Sequence, residues 1–333
     1  MRQFLLAAII MLAACGPEEE APTPIMTDAT ITGGPAIVIA HRGASGPLPE
    51  HTIAAYELAI EQKADFIEPD LVLTKDGVLI ARHDRYLSTT TDIADHPEFA
   101  DRRTTKLQYG EPREDWWAED FTLAEIKTLR ARQPLPSRGT GDDGRFEIPT
   151  FEEVIAVAKA GGVGVYPETK QPGALAALGF DMEAALLAAL ETAGWTGAAA
   201  PVYVQSFEPE ILISLNEKID VPLVQLVYAI EADGGYRSNL PLADIPAYAD
   251  GVGAEKSLLV DDHGELTDFI ARAHALGLFV HAWTFRDDVT PPDGAPIDAE
   301  LRRVYAAGVD GVFADFPATA VEVRDAAPIL SVQ

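Results

Sequence analysis

Cysteine is nearly absent. The 333-residue chain has one, Cys15, so no disulfide can form within it. Positive charge is scarce as well: 25 Lys and Arg stand against 53 Asp and Glu, a formal net charge of −28. That balance argues against a nucleic acid or an anionic membrane face as partner. It also sets a condition: an anionic small molecule would approach only if a bound cation and local basic groups offset the field. Long apolar runs are missing too. Phe4–Ala14 holds eleven apolar residues, too few to span a bilayer, and no later stretch could do so.

What is present begins at the N-terminus. Arg2 precedes the short apolar run, and the run ends Leu12-Ala13-Ala14-Cys15, small residues before a cysteine. This resembles the lipobox of bacterial lipoproteins, in which the chain is cut before the cysteine and its thiol carries diacylglycerol. The expectation is a signal peptide over residues 1–14 and a flexible tether over 15–35, rich in Pro, Thr, Ala and acid. The mature protein would be exported, a periplasmic or cell-surface lipoprotein touching the membrane only through lipidated Cys15. Gly16 after the cysteine favours the outer membrane in a Gram-negative source.

From Ala36 onward, short β-rich runs alternate with helical patterns, which predicts a parallel sheet. Nine strand candidates begin with Ala36–Ala40, Asp65–Leu73 and Val78–Arg82 and continue to Gly311–Ala314. The fold expected is α/β, a TIM-type (β/α)8 barrel over residues 36–325 with an inserted segment after the third strand; one of the nine candidates then belongs elsewhere. The insertion, residues 86–149, reads as mostly irregular with one helix at Thr122–Arg130. Ala229–Leu240 reads as a second long loop, and Asp261-Asp262 as a helix N-cap region.

The chemistry gathers at strand ends. Glu68 and Asp70 lie two apart on a strand and share a face. Two neighbouring carboxylates repel unless a cation or proton intervenes, and hard divalent ions take such oxygen ligands. Asp76-Gly77 signals a hairpin. A two-residue loop pairs Asp70 with His83, and a four-residue loop pairs Glu68 with His83; both registers place Glu68, Asp70 and His83 on one face. His41-Arg42-Gly43 ends the first strand, where barrel chemistry collects, and arginine matches phosphate oxygens. Glu168 ends another strand, with Lys170 two residues on. Gln205-Ser206 and His281-Ala282-Trp283 end two more.

The stretch His41-Arg42-Gly43…Pro49-Glu50-His51-Thr52, then Glu68-x-Asp70…Thr74-Lys75-Asp76-Gly77…His83-Asp84, closely resembles glycerophosphodiester phosphodiesterases, the periplasmic type above all. The likeness continues through Tyr166-Pro167-Glu168-Thr169-Lys170, Gln205-Ser206-Phe207 and Val280-His281-Ala282-Trp283-Thr284 to Asp310–Pro317. It implies that His41 and His83 are a catalytic pair, that Arg42 contacts phosphate, that Lys170 is an active-site lysine at the substrate, and that Trp283 lies in the substrate pocket. It implies Glu68, Asp70 and Glu168 as ligands of one divalent metal, Ca2+ in the periplasmic type, with another such as Mg2+ able to serve. The substrate would be a small glycerophosphodiester, cleaved to glycerol 3-phosphate and an alcohol, with the neighbouring glycerol hydroxyl as first nucleophile and a cyclic phosphate opened by water. Arg82, where many members carry an aliphatic residue, and Glu208, where Asp is usual, depart from the pattern.

Other readings compete. His41-Arg42 could be a surface pair, and Glu68 and Asp70 solvated edge-strand acids. His51, His96, His263 and His274 receive no role, His274 as a solvated helix residue. His281 could point outward. Trp116-Trp117 reads as packing within the insertion. At the level of function, the rivals are a phospholipase D-like enzyme on the same barrel, a non-catalytic lipoprotein that binds phosphodiesters or surfaces, and a barrel with a structural metal only. The sequence leaves the oligomeric state open.

Overall fold

A computed structural model describes residues 30–232 and 235–326. The signal peptide and most of the tether expected from the sequence lie outside the described residues. Eight parallel segments form the barrel: β1 Ile37–His41, β2 Phe66–Glu68 running on as Asp70–Leu73, β3 Gly164–Val165 running on as Glu168–Thr169, β4 Val204–Ser206, β5 Leu223–Val227, β6 Gly251–Glu255, β7 Phe279–Phe285 and β8 Gly311–Ala314. Each pairs in parallel with the next, and β8 pairs back to β1, which closes the ring. Closure leaves no parallel edge exposed, and runs such as Ile37-Val38-Ile39-Ala40 are apolar on both faces because both faces are covered.

Pro69 interrupts β2 and Pro167 interrupts β3, since proline has no N–H to donate. Their carbonyls keep the ladder in step: Pro69 O accepts from Glu168 N at 2.9 Å and Pro167 O from Gln205 N at 3.0 Å. Inside the barrel, Ile39, Tyr166, Val224 and Phe313 pack with Phe66, Tyr203 and Phe279. Glycine makes room for the rings: a Cβ on Gly251 would lie 2.1 Å from the Phe279 ring, and one on Gly164 equally close to Phe66. A larger core lies between strands and helices, the latter capped by Thr52, Thr150 and Asp181. Among the described residues, no helix is long and apolar enough to cross a membrane.

The ninth strand candidate finds its place here. Leu79–Ala81 is antiparallel to Asp70–Leu73 and is not a barrel strand. Its register corrects both expected ones: Leu73 faces Leu79 and Leu71 faces Ala81, leaving a three-residue loop with Gly77 at φ +79°. Thr74 selects that loop. Its backbone N–H donates to Val78 O at 3.0 Å, its hydroxyl accepts from Val78 N at 3.0 Å, and the hydroxyl donates to Asp76 Oδ1 at 2.6 Å.

The insertion is more ordered than its composition suggested. It carries a hairpin, Thr104–Gln108 with Glu111–Asp115, and a core of its own that includes Leu87, Ile93, Phe99, Trp116, Phe121 and Leu129. The helix expected at Thr122–Arg130 shrinks to Leu123–Ile126, closed at its start by a Thr122–Glu125 capping box. Val72 and Ile80 belong to this core, while Leu71 and Leu73 face the helices. Three further expectations are corrected. Ala229–Ala232 and Gly235–Ser238 pair as a hairpin, so the second long loop is structured. Asp261 accepts from His263 N and Glu265 N in a turn, and the helix starts only at Phe269. Nor is His274 solvated: its Nε2 meets Asp310 Oδ2 at 2.7 Å, the oxygen that also accepts from Val280 N.

Candidate functional site

The C-terminal strand ends converge on one mouth of the barrel. Because β1 lies beside β8, His41 at the end of one reaches Asp315 just past the other, Nδ1 to Oδ1 at 2.6 Å. An ionised carboxylate can only accept, so Nδ1 carries the proton and Nε2 is left with its lone pair. Burial lowers the His41 pKa below its usual value, and the nearby Arg42 charge adds to that, against the pull of Asp315. Burial would raise Asp315, but the His41 hydrogen bond and the charges of His41, Arg286 and Arg138 hold it well below the usual carboxylate range.

Arg42 turns the chain at φ +59° and donates its backbone N–H to Glu68 Oε2 at 2.8 Å. Its guanidinium bonds Glu50 Oε2 at 3.0 Å and lies 3.1 Å from Asp70 Oδ2. The strand registers bring the acids together: His41 lies beside Glu68, and Asp70 beside Glu168. Ligand oxygens of Glu68, Asp70 and Glu168, all buried, lie within 4.8 Å of one another. Lys170 Nζ sits 2.7 Å from Glu168 Oε1 and 3.7 Å from Asp70 Oδ1.

The acids carry more negative charge than their surroundings accommodate. Glu68 is pushed well above the usual carboxylate range by burial and by repulsion from Asp70 and Glu168. Glu168 is pushed up to about 8, by burial first and then Asp70, although Lys170 pulls it down. Asp70 stays ionised: burial opposes this, but Lys170, Arg42 and the His51 hydrogen bond outweigh it. Gln205 donates Nε2 to Glu68 Oε1 at 3.3 Å and leaves its own Oε1 buried without a hydrogen-bond partner. Three carboxylates and a free amide oxygen are a hard-donor set, and it fits a divalent cation such as Ca2+ or Mg2+.

His83 enters by a route the face argument did not anticipate. In the observed register Arg82, not His83, stands across from Asp70, its N–H donating to Asp70 O at 2.8 Å. The strand ends at Ala81, so the alternation that sets faces does not extend to residue 83. Arg82 buries its side chain under the insertion on Thr90, and the chain turns His83 back into the mouth. Burial, with Arg42 and Lys170, lowers the His83 pKa to about 4. Its Nδ1 is 3.0 Å from Asp84 Oδ1, and Asp84, in spite of burial, is held at about 2 by that contact.

A cavity of about 550 Å3 opens on this constellation. His41, Arg42, Glu68, His83, Glu168 and Lys170 form its polar wall, and Phe207, Leu226, Tyr228 and Trp283 its apolar one. Trp283 is fixed by an Nε1 hydrogen bond to Gly253 O at 2.9 Å and by the edge of Phe207. Of the eight residues given a catalytic, substrate or metal role from the sequence, Asp70 alone stands behind the cavity rather than on it. His281 does not face outward: it is buried inside the barrel with Nδ1 on the Tyr166 hydroxyl at 2.8 Å.

Three neighbours escaped sequence reasoning. His51 is buried, receives the Tyr56 hydroxyl on Nδ1 at 2.8 Å and donates Nε2 to Asp70 Oδ2 at 2.9 Å, which orients that carboxylate. Asp84 and Asp315 back the two cavity histidines. All three lie inside the motifs quoted above, but nothing in their spacing told a ligand from its support.

A family model described as the glycerophosphoryl diester phosphodiesterase family matches residues 41–319. Among curated proteins, a glycerophosphodiester phosphodiesterase of Arabidopsis thaliana is 36% identical over 311 residues, covering 84% of this chain and 83% of its own. One from Haemophilus influenzae is 32% identical over 336 residues, covering 86% and 89%. Among solved structures, an Oleispira antarctica phosphodiesterase in complex with sn-glycerol-3-phosphate shares the fold at a TM-score of 0.65 and 24% identity, covering 89% of this chain and 100% of that one. A glycerophosphodiester phosphodiesterase of Agrobacterium tumefaciens does so at 0.58 and 21%, covering 86% and 99%.

Proposed function

The chain belongs to the glycerophosphoryl diester phosphodiesterase family, and from that premise we propose a metal-dependent hydrolysis of glycerophosphodiesters to glycerol 3-phosphate and an alcohol, with His41 and His83 as the proton-transfer pair. The observation that carries it is the shared wall of the cavity: two imidazoles, each backed by a carboxylate, beside three buried acids and two cations. Glu68, Asp70 and Glu168 would hold a divalent ion, calcium in our reading. Such an ion, when bound, draws charge from the non-bridging phosphate oxygens.

The rest falls to the chain's own groups. Arg42 and Lys170 lie close enough to the acids to orient a phosphodiester and to offset the negative charge of the protein. With each Nδ1 facing a carboxylate, proton traffic falls to Nε2. One imidazole accepts on a free Nε2 the proton of the attacking hydroxyl of the glycerol moiety, and the bond from phosphorus to the alcohol breaks as the leaving oxygen receives a proton from the other, which enters this step as imidazolium. Water then opens the cyclic phosphate, giving its proton to the imidazole that has just lost one, while the first imidazole returns its proton to the glycerol oxygen. Trp283 and Phe207 provide the wall against which the organic parts lie.

The test is release of glycerol 3-phosphate from a panel of glycerophosphodiesters, with chelator and after calcium is restored. Turnover should vanish and return; full activity in chelator would remove the metal from the reaction. The apolar wall supports a second reading, an intact lysolipid as substrate, and lysophosphatidylcholine run beside glycerophosphocholine separates the two. We further read the protein as an exported lipoprotein anchored through Cys15. Inhibiting lipoprotein signal peptidase should leave an unprocessed precursor, and unaltered processing would reject the anchor.

A further inference from the structure

The inserted segment touches the carboxylate behind each cavity histidine, and from this we propose that it is a positioning device for both imidazoles. The inference rests on His41 and His83 being the proton-transfer pair. Its first arm is Arg138. Nη2 donates to Asp315 Oδ2 at 2.6 Å, while the other oxygen of the same carboxylate takes His41 Nδ1 at 2.6 Å. The guanidinium is pinned along another edge by Asp288, at 2.7 and 3.0 Å, and the side chain is only 5% exposed. Gln133, in the same stretch, donates to Ser45 O at 3.1 Å and Leu48 O at 3.3 Å, which fastens the loop that follows His41.

The second arm is Gln108, at the end of the first hairpin strand. Its Nε2 donates to Asp84 Oδ1 at 3.1 Å, the oxygen that meets His83 Nδ1 at 3.0 Å. Gln108 is buried, so its amide does not lose this contact to solvent. A carboxylate held only by a histidine can rotate about its own bond and carry the ring with it. One held from behind by a second donor keeps its plane, and the ring keeps Nε2 aimed into the cavity. Arg286 also approaches Asp315 Oδ2, at 3.2 Å, but it is 36% exposed and leaves Asp315 a way to swing outward once Arg138 is gone. Arg138 and Gln108 are thus positioning residues that act through Asp315 and Asp84.

The experiment measures kcat and KM on glycerophosphocholine with calcium present. Arg138→Met should lower kcat about 10-fold, as misaligned groups do, and Gln108→Leu by less, with KM within about twofold of wild type in both. Arg138→Lys should recover part of the loss. Arg138→Met on top of Asp315→Asn should cost little beyond Asp315→Asn alone, because both act on one imidazole. Arg145→Ala, an exposed pair on the same segment, should leave turnover unchanged. Wild-type kcat in Arg138→Met, or losses that add in full to those of Asp315→Asn, would overturn the proposal. If His41→Ala also kept wild-type turnover, the fault would lie in the reading of the histidine pair. Should Arg138→Met fold poorly, Arg138→Lys and Gln108→Leu carry the same comparison.

Discussion

In the barrel, most side chains with chemistry follow strand ends and are set by a register: His41 beside Glu68, Asp70 beside Glu168, Ala314 one step before Asp315. In the insertion no strand of the ring supplies a frame. Order there comes from a small apolar core and from buried polar pairs such as Arg85 with Glu119 and Trp116 Nε1 on Phe99 O. The two regions meet along one strand. Asp70 contributes to the acid cluster, Val72 on the same face belongs to the insertion's core, and Leu71 and Leu73 turn to the helices. The barrel therefore supplies most of the mouth's polar groups from regular geometry, and the insertion reaches the carboxylates behind His41 and His83 from irregular geometry.

The comparison breaks first at the barrel side. His41→Ala and His83→Ala should each lower turnover by ~100-fold or more, the scale for general acid–base groups. Near-normal rates in either variant, with an unshifted melting temperature, would show that the mouth carries some other chemistry. On the insertion side the larger effect is on stability. Phe121 is fully buried against Phe99, with ring centroids 5.1 Å apart. Phe121→Ala should cost about 3–5 kcal/mol. Because Val72 and Ile80 belong to both regions, the loss should appear as one lowered transition. A separate early transition, with the barrel's own unmoved, would make the insertion an independent unit.

A finer contrast is in pH. His281 is buried in the barrel, and burial lowers its pKa from 6.5 to about 3. The unfolded chain takes up a proton there that the folded barrel refuses. The contribution is complete above pH 6.5 and is lost as pH falls toward 3. His281→Gln keeps a partner for Tyr166 and removes the proton, so stability plotted against pH should be shallower over that window by about 1.4 kcal/mol per unit. An identical slope in both proteins would place the acid sensitivity elsewhere. The smallest effect belongs to the junction where the insertion returns to the barrel. Thr150 caps the helix Phe151–Gly161 in a box with Glu153. Thr150→Ala should cost about 1 kcal/mol by thermal melting, and no change would mean that packing alone holds that junction.

The alternation of strand and helix, and the residues at strand ends, made the barrel and most of the mouth legible from the chain alone. Both signals are periodic and local. The hairpin register was not legible, because it turned on a Thr74 hydroxyl choosing a three-residue loop, and the argument for a common face failed with it. His83 reached the mouth all the same, since the chain leaves the strand before residue 83. His51 could not be told from a surface histidine: its partner Asp70 lies 19 residues away on another element. The insertion's order was hidden for a related reason. Its core is assembled from single apolar residues between polar ones, with no period to read.

His41 finds its carboxylate 274 residues further along, on the segment that also closes the ring. A chain cut just short of Gly311 would still hold both imidazoles and all three acids, yet the first strand would lack its last neighbour and His41 its support. The support of His41 is therefore among the last contacts that the growing polypeptide can make. Closure of the ring and support of His41 depend on one segment, so a chain in which His41 is held is also one in which the barrel has closed.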